Sequence, residues 1–581
     1  MYSGTKLIDA LARQHQNRST VGLFKSGTFK LDWRAKVGSF PHPDTETIVS
    51  AGEPCGSWRT VRVVRQGRDC PSRPEDKRNV GENWNSLPDL PLNGYVPAAS
   101  IRGIVRAWAS KHPAFRARMQ ELLGYQTDAT IFPGRIEFLD AFPTEPTKIT
   151  LDIVNPQQDF QVFHEGQSTP LSLYTLGDGR EEIEITVAIR GTHQATPEEV
   201  RMVWEWVQQA LSTYGIGSRT ASGYGVLKAP VGYKNLEKLP TLAADFSSKK
   251  LDFTLYSQGN SGPDMKTIEL RPAHWRGWLR SWLMRFFLGV MSRENAEFTV
   301  GELMGTLDRS TDGKSRQGSI RLQLLQSPSC WGAASQEGGY LRFYKWRGSL
   351  KLSAPKDILN EIILPIVRIA ARVGGVGKGW RRPLHRFVMG NNNPAARGSQ
   401  LELTHKVRIP DPDRLKNVPF AIGLNPNDWL AVYDKWQAAV KRHWPERYLT
   451  NIPTLNAEVF SPKTCAVYLV LGPDENPIDP EEIEWNDMRT TETRGEGMDL
   501  IYQPKYKRKS DVGGDAGNGG AYCSWVSIAR RVTKDGCQEV VCLFMGDNKP
   551  LRSQFLTDLA NIDDSINLFG IQPPARDRPN S

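Results

Sequence analysis

A short signature occurs twice in this chain of 581 residues. Its pattern is Arg-Gly-x-x-Arg-x-Trp, and it spans residues 102–108 and again residues 276–282. The shared positions are Arg102, Gly103, Arg106 and Trp108 in the first copy, and Arg276, Gly277, Arg280 and Trp282 in the second. Internal repeats indicate that one supersecondary unit is used more than once. We therefore predict two related domains in one chain.

The signature predicts the start of a helix that binds phosphate. Ser100 is placed to cap this helix in the first copy, with Trp108 on its apolar face. A helix N-terminus offers free N–H groups and a partial positive charge, so the first arginine of each copy is expected to bind a phosphate. The second arginine extends this surface one turn further, and the glycine between them allows a close backbone approach. The alternative is that these arginines pair with surface carboxylates.

A glycine-rich basic loop follows each copy, at residues 215–225 and 374–382. Consecutive backbone N–H groups beside cationic side chains form an anion-binding nest. Each loop follows a predicted helix, which disfavours a dinucleotide-binding motif, and neither has the spacing of a P-loop. Whether the aromatic residues Tyr224 and Trp380 stack on bases or pack inside is left open. The residues expected to bind are Gly215, Gly217, Arg219, Gly223 and Tyr224 in the first loop, and Gly375, Gly377, Lys378, Arg381 and Arg382 in the second.

Charge and cysteine usage narrow the class of protein. The chain has 74 basic and 64 acidic residues, a net charge of +10, which favours a polyanionic partner but also fits an ordinary basic enzyme. The 7 cysteines form no CxxC pair, which is typical of a protein with reduced thiols. No apolar run is long enough for a membrane helix, and the N-terminus has no signal-peptide pattern. We expect a cytoplasmic protein without a membrane partner.

The pattern of elements predicts an α+β fold built from tandem ferredoxin-like (RRM-like, βαββαβ) domains with insertions. In the first domain we expect a strand at 27–37, the signature helix, strands at 135–139 and 181–190, a helix at 196–212 and a strand at 225–228. In the second we expect strands at 251–255 and 267–270, a helix at 273–288, a strand at 348–352 and a helix at 355–372. The predicted domains are 1–245, with a long loop at 41–94, then 250–390, and 391–581 as a less regular C-terminal extension of the second domain.

These motifs together resemble the RAMP superfamily, the RNA-binding proteins of type III CRISPR effector complexes. Residues 96–106 are similar to the family's Pro-Gly-Ser-Ser-Leu-Lys-Gly segment, with Ala98 and Ala99 in place of Gly and Ser. Residues 134–143 and 152–156 resemble the sixth subunit of the Cmr complex, and residues 268–280 with the second glycine loop resemble the first. The chain is thus similar to a gene fusion of two such subunits, or to a fused backbone subunit of a variant type III system.

The resemblance implies an RNA-binding role in antiviral defence. Such a subunit holds the CRISPR guide RNA and the duplex of guide and complementary target RNA, largely through backbone contacts, while base pairing reads the sequence. The implied protein partners are other RAMP subunits and a large polymerase-like CRISPR subunit. No cofactor is expected to be bound in the fold itself.

Whether the chain is an enzyme stays open at this point. Some members of the family cut target RNA with an aspartate in an Asp-x-Pro segment, and Asp89 in Asp-Leu-Pro matches that placement, with Asp69 as a second candidate. Such cleavage would use Mg²⁺. One alternative is an endoribonuclease that processes guide RNA with His112, His164 or His274 as its general base. Another is a scaffold that contacts only proteins.

Overall fold

A computed structural model describes most of the chain in segments. They are residues 4–16, 22–31, 33–36, 47–48, 56–59, 92–110, 112–145, 149–154, 171–177, 183–217, 219–220, 223–228, 246–257, 260–261, 268–305, 318–324, 330–333, 343–388, 394–408, 415–473, 494–514, 522–533 and 536–573. These segments form an α+β structure with several antiparallel sheets. The chain divides into a first unit (Met1–Asn155, Pro170–Phe246 and Gly262–Thr267) and a second unit (Pro156–Thr169, Ser247–Ser261 and Ile268–Ser581).

The main sheet of the first unit is antiparallel. Its strands lie in the spatial order Leu227–Lys228, Phe24–Leu31, Ile183–Gly191, Ile136–Phe138, and Phe142–Pro143 also pairs with the third of these. Helix Ala98–Ala109 follows the first strand along the chain, and helix Pro197–Tyr214 precedes the last. Numbered by sequence, the four main strands therefore lie in the order fourth, first, third, second.

The first signature helix is Ala98–Ala109, and it begins before the predicted cap. Ser100 lies within its first turn, so the prediction that Ser100 is the N-cap is wrong. The position before the helix is Pro97, whose side chain makes no capping hydrogen bond, and the N–H of Ala98 donates instead to Oδ1 of Asp140 at 2.7 Å. The predicted apolar face is confirmed, because Ile101, Val105 and Trp108 are all buried.

The other helix on this sheet, Pro197–Tyr214, has the start that its sequence predicts. The Thr196 side chain accepts from the Glu199 N–H, while the Glu199 carboxylate accepts from the Thr196 N–H, which is a capping box. Both tryptophans of the helix, Trp204 and Trp206, are buried. The glycine loop follows directly after this helix ends.

The main sheet of the second unit repeats the strand order of the first. Its strands lie in the order Arg321–Leu324, Phe343–Pro355, Phe246–Ser257, Ser399–Arg408, Leu415–Pro419, and Cys330–Ala333 also pairs with the second of these. The second signature helix is Pro272–Phe287, and the later helix Leu364–Val373 follows a π-helical turn, Ile358–Ile363. Four of these strands repeat the order of the first unit when the sheet is read from the other end. Ser399–Arg408, Phe246–Ser257, Phe343–Pro355 and Arg321–Leu324 are the fourth, first, third and second of the four along the chain.

The region after residue 390 is more regular than its sequence predicts. Ser399–Arg408 pairs with Phe246–Ser257 and so completes the main sheet of the second unit. A further antiparallel sheet has the order Val526–Thr533, Gly536–Phe544, Cys465–Leu471, Ile566–Gly570. The same region of the chain contains three helices, Pro426–His443, Glu496–Tyr502 and Pro550–Ala560. One hydrophobic core contains Trp282, Trp429 and Phe544, so residues on both sides of position 390 are packed together.

The remaining elements are shorter or lie outside the main sheets. None of the helices in the described segments has the length and apolar character needed to cross a bilayer. The remaining helices are Gly4–Gln16, Pro113–Leu123 and Arg293–Met304, and the remaining strands are Ala35–Lys36, Thr47–Ile48, Gly56–Arg59, Leu92–Tyr95, Tyr125–Gln126, Ile131–Phe132, Ile149–Val154, Leu171–Leu176, Asn260–Ser261, Ile268–Glu269, His385–Val388 and Pro394–Arg397.

Candidate nucleic-acid interface

The first signature helix presents one open, positively charged face. Arg102 and Gly103 are both exposed. A Cβ atom added to Gly103 would find nothing within 4 Å, so no described part of the chain requires a glycine there. Glycine inside a helix costs about 0.5–1 kcal/mol relative to alanine. This cost has no explanation in the packing that the structure describes, which leaves close approach by another molecule as a reason for the residue.

The second arginine of the first signature stabilises a neighbouring helix. Nη2 of Arg106 donates to the carbonyl of Leu123 at 3.2 Å and to that of Gly124, at the end of helix Pro113–Leu123. The last carbonyls of a helix lack partners within it and carry partial negative charge, so a guanidinium is favourable there. Arg106 therefore holds two helices of the first unit together and is only half-exposed.

In the second signature it is the first arginine that binds the carbonyl end of a neighbouring helix. Nη2 of Arg276 donates to the carbonyl of Met304, the last residue of helix Arg293–Met304. Burial, with a smaller effect from Arg280, lowers the pKa of Arg276 to about 10, so it stays charged at neutral pH. Gly277 and Arg280 lie half-buried on the same helix. The two copies thus share a helix–helix cap, displaced by one helical turn between them.

The first glycine loop is closed by its own hydrogen bonds. The N–H of Gly215 donates to Leu211, that of Ile216 to Gly225, and that of Gly223 to Thr220, at 2.8–2.9 Å. Gly215, Gly217, Gly223 and Gly225 all have positive φ, which glycine adopts without strain. A Cβ on Gly225 would lie 1.8 Å from the carbonyl oxygen of Ile216. The loop's own turn thus requires glycine at Gly225, and the three N–H groups named above are already used within the chain.

Two side chains of this loop differ in their surroundings. Tyr224 is 1% exposed, its ring packs against Trp33 at 4.7 Å, and its hydroxyl donates to Oδ2 of the buried Asp152 at 2.7 Å. In this structure Tyr224 packs inside the protein, and its contact with RNA stays a prediction. Arg219 is half-buried and has a φ of 57°, in the left-handed region that non-glycine residues seldom adopt.

The second glycine loop lies against the second signature helix. A Cβ on Gly377 would be 3.2 Å from Nδ1 of His274, in the first turn of that helix. The N–H of Gly375 donates to the carbonyl of Trp380 at 2.8 Å, which closes the loop, and Lys378 at its tip is exposed. The two motifs that the sequence places far apart therefore meet in the second unit.

The basic residues at the end of this loop are held inside the protein. Arg381 donates to Oε1 of Glu458 at 2.6 Å, and Arg285 donates to Oε2 of the same carboxylate at 2.6 Å. Both guanidiniums also lie near the Trp380 ring, with that of Arg381 4.4 Å and that of Arg285 5.0 Å from the ring centroid. Arg381 and Trp380 are buried, so Trp380 packs inside the protein, and contact of Arg381 with RNA stays a prediction.

Arg382 is likewise committed to the fold. It donates to the carbonyl of Val526 at 2.6 Å and to Oγ of Ser524 at 2.9 Å. Burial lowers the pKa of Arg382 to about 10. These contacts fix the glycine loop to the edge of the C-terminal sheet, and phosphate binding by Arg382 stays a prediction. The sequence around the loop does not predict that Glu458 and Val526 are the partners of these arginines.

The candidate catalytic residues fall into two groups. Asp69, Asp89 and His164 lie outside the described segments. His112 is buried against Trp108, and burial lowers its pKa. Burial and the neighbouring Arg271 lower the pKa of His274 to about 4. Within the described segments no three His, Cys, Asp or Glu residues are grouped as metal ligands, so the magnesium site stays a prediction tied to Asp69 and Asp89.

Comparison with known proteins gives only distant matches. No protein-family model matches the chain, and no curated protein sequence matches it. A chain of the structure titled "Cryo-EM structure of the Type III-B Cmr-beta bound to cognate target RNA" is 14% identical, with 39% of this chain and 64% of that chain covered and a TM-score of 0.23. Cmr6 from Pyrococcus furiosus is 16% identical, with 36% and 97% covered and a TM-score of 0.18. A chain of a Type IV-B CRISPR complex is 10% identical, with 38% and 96% covered and a TM-score of 0.22.

These matches are CRISPR proteins by their titles, and the chain spans less than two thirds of the first of them. TM-scores of this size are too low to assign a family. What the fold and the site define is an α+β protein with a repeated strand order. Of the predicted cationic contacts, the exposed ones are Arg102 on the first signature helix and Lys378 on the second glycine loop.

Proposed function

We propose that this chain is an RNA-binding subunit of a type III CRISPR ribonucleoprotein effector complex, acting in the cytoplasm. It holds the guide RNA and the duplex of guide and target RNA. Its protein partners are other RAMP subunits and a large polymerase-like CRISPR subunit. The proposal rests on the duplicated signature and on its position in each unit, on the helix that follows the first main strand.

The observation that carries the proposal is the strand order that recurs in the two units. In each, four main strands lie in the order fourth, first, third, second, with the signature helix after the first strand and a second helix before the fourth. We infer from it a split βαβ or ferredoxin-like fold for each unit. It supports the assignment of both units as RAMP domains fused in one chain, with residues 391–581 extending the second.

The proposed contacts with RNA are of two kinds. Arg102 and Lys378 are exposed and bind phosphate directly, and Gly103 allows the RNA backbone to approach the helix. Ser100, Gly277, Arg280, Arg219 and the loop glycines stay proposed RNA contacts on the sequence pattern alone. Arg106, Arg276, Arg381 and Arg382 act indirectly, because their guanidiniums hold the helices and loops that present the exposed residues.

The test is RNA content and RNA affinity of the purified protein. We expect an ultraviolet absorbance ratio and a nuclease sensitivity that reveal bound RNA. The double variant Arg102→Ala, Lys378→Ala is expected to bind single-stranded RNA more weakly and to reduce the slope of log affinity against log salt by about one to two. The matched control is Arg201→Ala, Lys435→Ala, which removes two exposed charges elsewhere. If the intact protein binds no RNA at low salt, the proposal is rejected in favour of a scaffold that contacts only proteins.

Cleavage of target RNA is the finer part of the proposal. We assign it to Asp89, with Asp69 as the second candidate, and Mg²⁺ is the metal that such a carboxylate would help to place. Labelled target RNA with magnesium is incubated with the intact protein and with Asp89→Ala. Equal cutting by both would reject Asp89. Cutting of precursor guide RNA in the absence of target would favour the processing endoribonuclease instead.

A further inference from the structure

A basic surface lies in the C-terminal part of the second unit, away from both signatures in sequence. It comprises Arg494, Lys507, Arg508, Lys509 and Tyr522. Lys507, Arg508, Lys509 and Tyr522 are exposed, and Arg494 is half-buried. In sequence, the run of cations looks like an ordinary solvated loop. Its structure differs from such a loop in two respects: the backbone is anchored, and three of the cations have no acidic partner among the described residues.

The turn that carries these cations is firmly anchored. Tyr506, between them, is completely buried, its ring contacts Phe555 at 5.0 Å, and its hydroxyl donates to Oδ2 of Asp558 at 2.5 Å. Nε of Arg552 donates to the carbonyl of Asp511 at 2.7 Å. The N–H of Gly514 donates to the carbonyl of Lys509 at 2.9 Å. The cationic side chains are therefore presented from a fixed backbone, which lowers the entropy cost of binding a ligand.

The charges on this turn are not neutralised within the described structure. Lys505 pairs with Asp558, but none of the described residues forms an ion pair with Lys507, Arg508 or Lys509. The nearest acidic residues in sequence are the half-buried Asp511, Asp515, which lies outside the described residues, and the exposed Asp499. Three consecutive cations that no described residue neutralises repel one another, and a polyanion relieves that repulsion.

Aromatic rings accompany the charge. Tyr502 has Arg494 over its ring at 4.6 Å and Lys507 at 5.5 Å. Tyr522 is 55% exposed, and a Cβ on Gly514 would lie 2.6 Å from its carbonyl oxygen, so it borders the turn. An exposed aromatic residue that borders a turn rich in cations suits a single strand, whose bases stack while its phosphates bind the charges. An acidic protein segment would use the charges but not the ring.

We propose that this surface is a second binding site for single-stranded RNA, independent of sequence. It goes beyond the proposed function, which places RNA on the signature helices and the second glycine loop, and it does not require that function to hold. Lys507, Arg508 and Lys509 bind phosphates, Arg494 adds charge beside Tyr502, and Tyr522 stacks on a base.

The test measures the affinity of the full-length protein for a fluorescently labelled oligouridine at several salt concentrations. The double variant Lys507→Glu, Lys509→Glu is expected to bind about tenfold more weakly and to reduce the salt slope by about one to two. Its matched control is Lys435→Glu, Lys441→Glu, which makes the same charge change on helix Pro426–His443. Tyr522→Ala is expected to lose about fivefold or more, while Tyr522→Phe retains affinity.

The outcomes separate this site from the proposed function. Equal affinities for the two double variants would overturn the site, whether or not Arg102→Ala, Lys378→Ala weakens binding. Polyglutamate serves as a second probe that stands for an acidic protein segment. If Lys507→Glu, Lys509→Glu loses polyglutamate binding but keeps its oligouridine affinity, the surface is a protein-docking site and the proposed RNA site is overturned. Photo-crosslinks from iodouridine to Tyr522 in the intact protein would support it. Circular dichroism of each variant verifies that it is folded.

Discussion

Arg381 and Glu458 form a buried, two-pronged ion pair, with Nη1 2.6 Å from Oε1 and Nη2 3.2 Å from Oε2. Arg285 shares the same carboxylate. A single acidic residue thus balances two guanidiniums, one on the second signature helix and one at the end of the second glycine loop. The loop owes its position against the helix to this carboxylate.

Removing the shared carboxylate should destabilise the second unit strongly. Glu458→Gln removes the charge of the carboxylate that two buried guanidiniums share, and breaking a buried pair in this way costs about 3–5 kcal/mol. Urea denaturation of the intact protein measures the change. Glu446→Gln is the control, because Glu446 has an exposed side chain and only a long contact with Arg447. Similar midpoints for both variants would contradict the structural role of Glu458.

Tyr224 should matter for stability and not for RNA affinity. Tyr224→Phe removes the hydroxyl that donates to Asp152 and leaves a buried carboxylate oxygen with one donor fewer, at a cost of about 1–3 kcal/mol. Thermal denaturation and oligouridine binding test the two halves of this expectation. The exposed Tyr522→Phe is the matched control for stability. A specific loss of RNA affinity at unchanged stability would restore Tyr224 as a contact residue.

Local sequence predicted the α+β class and the two signature helices but not the roles of the arginines. The helices have apolar spacing and, at Thr196, a capping box, which are signals within a few residues. The partner of Tyr224 is 72 residues away, that of Arg381 is 77 residues away, and that of Arg382 is a backbone carbonyl 144 residues away. A carbonyl acceptor carries no residue-type signal at all. A buried arginine and a phosphate-binding arginine therefore look the same in sequence.

The glycine loops illustrate the same limit. Two features of the fold require glycine in these loops, a positive φ and close backbone packing. An anion-binding nest would require glycine as well, so the sequence alone does not distinguish the two explanations. Only the hydrogen bonds distinguish these explanations, because they show that the N–H groups of Gly215, Gly223 and Gly375 already have acceptors in the chain. For Gly103 the structure gives the opposite result, since nothing nearby requires it.

Buried His385 should make the protein less stable as pH falls below neutrality. Its Nδ1–H donates to the carbonyl of Pro383 at 2.9 Å, the Tyr502 hydroxyl donates to Nε2 at 3.2 Å, and burial lowers its pKa to about 3. The unfolded chain protonates this histidine near pH 6.5 while the folded protein does not, so stability present above that pH is lost as pH falls. The expected contribution is about 1.4 kcal/mol per pH unit below that point.

The measurement compares free energies of unfolding between pH 7 and pH 5 for the intact protein and His385→Gln. The variant should have a shallower dependence on pH, whatever its stability at pH 7. His193→Gln changes an exposed histidine and serves as the control. Parallel curves for the intact protein and His385→Gln would show that His385 does not titrate as its burial requires.

Gly103→Ala should separate stability from binding. The added Cβ meets no atom within 4 Å, and alanine favours a helix over glycine by about 1 kcal/mol, so the free protein should become more stable. If the RNA backbone lies against this face, the same methyl group should weaken RNA binding several-fold and leave the salt slope unchanged, because no charge is lost. Gln120→Ala, on an exposed helical position of the same unit, controls for helix propensity alone. A Gly103→Ala protein that is more stable and binds RNA as tightly as the intact chain would mean that the glycine serves no close contact, and the phosphate-binding surface would then have to be sought around Lys378.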